Sequence, residues 1–505
     1  MPWRPTTNVI IKKGSGSSAT APNGVVGSTR AGQFIRDAIN GTDSLDVIVM
    51  GDSNAGWVTN GASGMYFAYG YTCGLLNALG NLGARQYATS IIAGAIDNPT
   101  EVSIGVNSGY GPLGTGVGAV WPTTALTGEP GATGPASRLE HRVAQSDADA
   151  IALKANLGYS TQTDAQLGLG GSFGPILPRF MGFLWDAAFV PRDVLYTSGA
   201  NKNDIRLSTI SPIVTGQTQT PLQYRCVYGK FASGSGQFRP AAWSNFVAQV
   251  APAFVPTSGG SANNWYATTS FNFNGPTVTN GVGANEMVVG WDNFNQGSPV
   301  TGPFACLWHS VIRRNTKGFA VNPYLLQGGA KTENILARMN GNAGILDSFL
   351  KEIKERQVEA TGSGRALVWI NIGINGNEAA NTWTSNMNAT IDKIIERWVA
   401  VGNDPNKLCF VISATHPAPG VAGWSAARTD TVSAAASVAN TNASKGVTAV
   451  DIESYFTSGE LLSDNSGGGS MYDPAGQAHL STALNALNGY DAISAATVSA
   501  LTRYI

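Results

Sequence analysis

Apolar residues along this chain follow two rhythms. Short, mainly apolar runs rich in β-branched residues occupy residues 46–50, 366–372, 408–413 and 447–452. Such runs mark strands that are covered on both faces. Between them, residues 343–357, 383–401 and 425–440 carry apolar positions at helical spacing, as in Ile345, Leu346, Phe349, Leu350 and Ile353. Residues 319–326 predict a further strand, and residues 31–40 and 71–82 two earlier helices. A helix over 136–156 and a last helix over 474–487 complete this set. Alternating strands and helices of these lengths predict a parallel sheet with helices on both faces. The run at 46–50 belongs to that sheet although it lies far upstream of the rest.

The long interval between them has a different pattern. Residues 193–196, 205–213, 223–231, 243–250, 265–273, 286–291 and 304–313 read as strands separated by clusters of Gly, Ser, Asn and Pro. Several short strands at this spacing predict a β-sandwich or jelly roll. Trp243, Trp265, Tyr266, Trp291, Phe294 and Trp308 lie among them. Aromatic residues on strands serve mainly as core, and a sugar-stacking platform is the alternative for some of these. The predicted organisation has four parts. Residues 1–30 are an extended N-terminal arm, and 31–85 are the first part of an α/β domain. Residues 86–317 are an insertion, loop and helix followed by a β-rich sandwich, and 318–505 are the second part of the α/β domain.

Composition narrows the chemistry. The 505 residues carry a formal net charge of -1 with only 12% charged residues, so no basic footprint points to nucleic acid. Hydrophobic residues make up 43%, enough for folded domains despite 62 glycines. Cys73, Cys226, Cys306 and Cys409 are far apart, as are His141, His309, His416 and His479. Neither a disulfide framework nor a metal site is expected, and no cofactor is called for. The Gly114-Thr115-Gly116-Val117-Gly118 stretch lacks the Gly-Lys-Ser/Thr that a phosphate cradle needs and reads as loop. No apolar run has the length of a membrane span, and Met1-Pro2-Trp3-Arg4-Pro5 does not open a signal peptide.

Three short polar signals follow predicted strands. They are Gly51-Asp52-Ser53, then Gln327-Gly328-Gly329-Ala330-Lys331-Thr332, then Gly373-Ile374-Asn375-Gly376-Asn377. In this order they resemble the blocks of the SGNH/GDSL hydrolase family, esterases and deacetylases on a flavodoxin-like α/β fold. The resemblance covers about 220 residues, roughly 31–85 and 318–490. It implies Ser53 as nucleophile, the Gly329 N–H as an oxyanion donor and the Asn375 amide as another. Gly376 departs from the family, which has Asp there. The physical logic is acyl transfer: a serine hydroxyl attacks an ester carbonyl, and fixed N–H groups hold the charge that develops on oxygen.

The family's base is an Asp-x-x-His shortly before its last helix, and here two registers compete. In one, Asp473 and His479 form the pair, with the spacing stretched to six residues. In the other, Asp473 caps a helix that begins at Pro474, and the family's histidine position falls on Met471 and its Asp position on Gly468. His416, in Thr415-His416-Pro417, follows another predicted strand and is a candidate substitute.

The expected fold class is therefore α/β, a flavodoxin-like parallel sheet sandwiched by helices with a large inserted β-sandwich or jelly-roll-like domain. The expected function is a serine esterase that O-deacetylates or binds bacterial surface polysaccharide. The arm, the missing export signal and the Gly/Asn/Thr-rich insertion suit a bacteriophage virion surface protein of tail-spike or fibre type. The arm would dock other virion proteins, and a homotrimer would be the usual assembly. A catalytically inactive adhesion protein on the same fold is the alternative, and a secreted bacterial carbohydrate esterase is a third. No nucleic acid and no membrane insertion are expected.

Overall fold

The computed structural model describes residues 24–56, 71–92, 175–176, 190–196, 204–210, 221–229, 237–238, 240–244, 247–250, 253–256, 259, 266–274, 286–291, 305–326, 331–341, 343–373, 378–414, 424–452, 454–455 and 489–505. The chain opens with β1 (Val25–Gly27) and α1 (Arg30–Ile39), followed by β2 (Leu45–Gly51), α2 (Ser53–Gly56) and α3 (Tyr71–Asn81). Then come β3 (Ala88–Ile92), β4 (Pro175–Ile176), β5 (Val190–Tyr196), β6 (Asp204–Ile210), β7 (Pro221–Gly229) and β8 (Gln237–Phe238). Next are β9 (Pro240–Ser244), β10 (Val247–Val250), β11 (Val255–Pro256), β12 (Tyr266–Asn274), β13 (Glu286–Trp291) and β14 (Ala305–Arg313). The last part alternates: β15 (Phe319–Leu326), α4 (Thr332–Gly341), α5 (Ala343–Glu359), β16 (Arg365–Asn371), α6 (Ala380–Ala400), β17 (Leu408–Ser413), α7 (Trp424–Thr441), β18 (Val447–Val450) and α8 (Gly489–Arg503).

One sheet has the order β1-β18-β17-β16-β2-β15. All of its neighbours pair parallel except β1, which runs antiparallel to β18. Taken in chain order, the parallel strands β2, β15, β16, β17 and β18 lie in space as 2-1-3-4-5, a doubly wound arrangement. The period-2 rule divides each strand between two cores. Ile48 and Met50 of β2, Val368 and Ile370 of β16, and Phe410 and Ile412 of β17 join α5, α6 and α7. Val47 and Val49, Leu367 and Trp369, and Cys409 and Val411 join α1, α3 and α8 on the other face. The helices meet the sheet through stripes at helical spacing, such as Trp383, Met387, Ile391, Ile394 and Trp398 of α6. Burial on both sides explains why these strands read as mainly apolar runs rather than alternating ones.

The strand Val25–Gly27 lies at the end of the stretch read as an arm, and residues 1–23 fall outside the described set. The expected helices at 136–156 and 474–487 also lie outside it. The last described helix, Gly489–Arg503, was not anticipated, and neither was Thr332–Gly341.

The antiparallel strands between β3 and β14 root on the edge of the parallel sheet. The Phe319 N–H donates to Arg85 O at 2.8 Å and the Tyr87 N–H to Phe319 O at 2.9 Å, continuing the ladder beyond β15. One residue later the same segment enters another sheet, where Ala88 pairs with Ile312. Gly318 (φ 156°) makes this crossing possible, because a Cβ there would strike the Arg85 carbonyl. That second sheet, β12-β7-β14-β3, lies against α5. Arg225 of β7 donates to Glu352 through Nε (2.5 Å) and Nη2 (2.8 Å), and to Glu355 at 2.7 Å. Leu222, Tyr224, Phe271 and Phe273, on the opposite face of the sheet from Arg225, are buried as well. The remaining described strands form a six-stranded sheet, β10-β9-β13-β6-β5-β4, and a two-stranded one, β11-β8.

Below β2 lies a fully buried polar cluster. The Asp46 carboxylate accepts from Arg356, from Tyr87 Oη, from Asn322 Nδ2 (2.7 Å) and from Gln357 Nε2 (2.8 Å). Arg356 Nη2 also donates to Asn322 Oδ1 at 2.8 Å, and its guanidinium lies 5.7 Å from the centre of the Tyr87 ring. Burial depresses the Arg356 pKa and raises that of Tyr87. A charge removed from water this completely needs partners on every side, and Asp46 has four.

Candidate active site

In a 2-1-3-4-5 sheet the winding reverses between strands 1 and 3, and a crevice opens beyond their carboxyl ends. Those strands are β2 and β16, which pair from Arg365↔Leu45 to Asn371↔Gly51. The Gly51-Asp52-Ser53 turn therefore stands at the switch point. Gly51 (φ 153°) can only be glycine, since a Cβ there would fall on the Asn371 carbonyl oxygen and against Ala55. The Asp52 N–H donates to that same oxygen at 3.2 Å.

Asp52 then starts the short helix α2. Its buried carboxylate accepts from the Asn54 N–H at 2.9 Å, and its carbonyl accepts from the Ala55 N–H at 3.0 Å. Ser53 is thus the first residue of a helical turn at a strand end. The turn is held from the outside by two helices. Tyr490 Oη of α8 donates to Asn54 Oδ1 at 2.7 Å, and Thr72 Oγ1 of α3 donates to Ala55 O at 2.7 Å. Tyr490 also meets Tyr71 edge to face, with centroids 5.4 Å apart. All of these groups are buried.

On the other side of the switch point the ends of β16 and β17 are tied together. Asn371 Nδ2 and Trp369 Nε1 both donate to Ser413 Oγ, at 2.9 and 3.1 Å. Further out, Glu378 joins the stretches that follow β15 and β16. Its carboxylate accepts from the Thr332 hydroxyl and, at 3.2 Å, from the Thr332 N–H at the head of α4. Asn386 Nδ2 donates to the same hydroxyl at 3.0 Å.

The sequence-predicted residues stand as follows. Gly51, Asp52 and the backbone of Ser53 are described. Gly329, Asn375, His416, Met471, Asp473 and His479 lie outside the described residues. The chain ends that flank them are described: Leu326 ends β15, Gly373 follows β16, Ala414 follows β17, and Tyr455 is reached shortly after β18. The described strands β15, β16 and β17 thus end a few residues before Gly329, Asn375 and His416 in the chain, at the carboxyl end of the sheet where open α/β folds hold ligands. Sequence reasoning missed Asn54, Tyr490, Asn371 and the Thr332–Glu378 pair. Asn54, adjacent to the first motif, and Thr332, the last residue of the second, carried a signal that could have been used; Tyr490, Asn371 and Glu378 did not. No group of acidic, His and Cys side chains that could hold a metal occurs among the described residues. No described helix is long and apolar enough to cross a membrane.

No protein-family model matches the sequence, and no curated protein matches it. Among solved structures, a peptidoglycan O-acetylesterase aligns over 94% of this chain and 97% of its own, with 9% identity and a TM-score of 0.40. An isomalto-dextranase of Arthrobacter globiformis T6 aligns over 24% of this chain and 18% of its own, with 14% identity and a TM-score of 0.15. A β-glucosidase from Kluyveromyces marxianus aligns over 77% and 34%, with 11% identity and a TM-score of 0.18. These likenesses are too slight to carry an argument, and the fold assignment rests on strand order and register.

Proposed function

We propose that this chain is a serine ester hydrolase of the SGNH/GDSL type. Its substrate class would be O-acetylated polysaccharide. The observation that carries the reading is the position of Gly51-Asp52-Ser53 at the switch point, with the two other motifs following the flanking strands β15 and β16. Ser53 Oγ attacks the acyl carbon, and the alcohol leaves with a proton. The N–H groups of Ser53 and Gly329 and the Asn375 amide hold the oxyanion. Water then hydrolyses the acyl-serine. Asp473 and His479 are the proposed base pair, with His416 as the substitute. The antiparallel insertion, in this reading a sandwich or jelly-roll-like domain, holds or screens the glycan.

Virion surface placement, docking through residues 1–30 and a homotrimer belong to the same proposal and rest on composition alone. Sedimentation of the purified chain tests the trimer. A second reading is a glycan-binding protein without turnover. It is favoured by the Asp473-Pro474 helix start, which shifts the family's histidine position onto Met471.

Hydrolysis of p-nitrophenyl acetate and acetate release from an acetylated glycan separate the two. Activity that is lost in Ser53→Ala and in either His479→Ala or His416→Ala supports the enzyme. Turnover equal to that of Ser53→Ala on both substrates, together with retained glycan binding, overturns it in favour of the second reading.

A further inference from the structure

We propose that Glu378 is a positioning residue that clamps the chain stretch bearing Gly329 to the stretch bearing Asn375. The proposal rests on the esterase reading for its catalytic consequence, and on the described contacts for the clamp itself. Gly329 stands three residues before Thr332, and Asn375 three residues before Glu378. Three residues span at most about 11 Å of extended chain. A contact between residues 332 and 378 therefore ties together, within a few residues, the two stretches that carry the proposed oxyanion donors.

The contact is fully matched in donors and acceptors. Thr332 Oγ1 gives its proton to one Glu378 oxygen and accepts from Asn386 Nδ2, while the Thr332 N–H donates to the other Glu378 oxygen. That N–H belongs to the first turn of α4, whose donors have no partner within the helix. Negative charge is favoured there by the helix dipole. Glu378 thus caps α4 from a stretch of chain 46 residues away. Thr332 is 1% exposed, so water does not readily replace the carboxylate. Asn386 lies in the second turn of α6, so the clamp is anchored on the helices that follow β15 and β16.

Nothing in the acyl-transfer chemistry needs a carboxylate at this place, since Glu378 supplies neither proton nor nucleophile. Its expected effect is therefore on the geometry of the oxyanion donors, which is felt in the transition state more than in substrate binding. A misplacement of about 1 Å at such a site can cost about 100-fold in rate.

The test uses the full chain with Glu378→Gln, Thr332→Val and Thr332→Ser. Peptide-level hydrogen exchange is measured over residues 325–332 and 372–379, and steady-state kinetics with p-nitrophenyl acetate beside Ser53→Ala. Glu378→Gln and Thr332→Val are expected to raise exchange in both stretches together by about 10-fold or more, with β2 and the middle of α6 unchanged. They should lower kcat about 10- to 100-fold while KM stays within about twofold. Thr332→Ser keeps the hydroxyl and the N–H and should behave as wild type. Exchange unchanged in both stretches overturns the clamp. Exchange raised with kcat unchanged overturns its positioning role. Wild-type turnover no greater than that of Ser53→Ala removes the esterase reading instead, and the clamp is then decided by the exchange data alone.

Discussion

Gly51 and Asn371 face each other across the parallel ladder so closely that the Asn371 carbonyl oxygen occupies the space a Cβ on residue 51 would need. The same oxygen accepts the Asp52 N–H. The glycine of the Gly-Asp-Ser motif is therefore required by a neighbour 320 residues away in the chain. Gly51→Ala is expected to destabilise the α/β domain by about 3 kcal/mol or more, because main chain rather than a movable side chain would have to yield. Thermal unfolding of the variant beside wild type measures this, and an unchanged midpoint would show that the strands are not so paired.

Tyr490→Phe removes one oxygen and leaves Asn54 Oδ1 buried without its donor. The expected loss is about 1–2 kcal/mol in urea unfolding. Thr72→Val, on the other side of the same helical turn, should cost a similar amount. If both variants match wild type, α3 and α8 do not hold the turn.

Arg225 links the antiparallel sheet to α5 through two carboxylates. Burial raises the Glu352 pKa, and its bonds to Arg225 offset only part of that rise. Arg225→Ala strands Glu352 in a site 1% exposed and is expected to cost about 3–5 kcal/mol. The double change Arg225→Met with Glu352→Leu removes both charges and should recover most of that loss. Chemical denaturation of the three proteins decides it. A double variant as unstable as the single one would mean that the pair contributes net attraction, not only mutual neutralisation.

Asp43 offers a pH test. Burial alone would raise its pKa, but the Ser363 hydroxyl and N–H, the Ser44 N–H and Arg365 outweigh it and hold the carboxyl below its ordinary value of 3.8. A carboxylate with a depressed folded-state pKa stabilises the fold above the unfolded value and loses that contribution as pH falls through the folded one. The stability difference between wild type and Asp43→Asn should therefore be constant at neutral pH and shrink below about pH 4. Unfolding free energies across that range check the sign. A difference that grows on acidification would refute it.

Much of the α/β framework was legible in the residue order because a strand buried on both faces is mainly apolar along its length. Residues 408–413 were bounded correctly for that reason; 319–326 also match β15, and β2, β16, α5, α6 and α7 agree to within three residues at each end. The amphipathic stripe of α6 was equally local. Weak stripes failed. The Gly489–Arg503 helix is built largely of Ala, Ser and Thr, whose small side chains leave little contrast between faces. Residues 243–250 read as one strand, yet Ser244 pairs with Val247, so two strands fold back on each other there. No Gly or Pro at 245–246 announces that reversal.

The sequence by itself determined which segments could lie in a parallel sheet, and that a glycine, an acid and a serine follow the first of its parallel strands. It also set the order of the three motifs along the chain. Only the tertiary structure decided that β2 lies between β15 and β16 in the sheet. Only it decided that Glu378 caps a helix on another stretch, that Tyr490 reaches Asn54, and that Arg225 finds Glu352. Each of these is a contact between residues far apart in the chain, selected by the need to satisfy a buried polar group. Local pattern records which side chains avoid water, but it carries no record of which distant partner satisfies the polar ones.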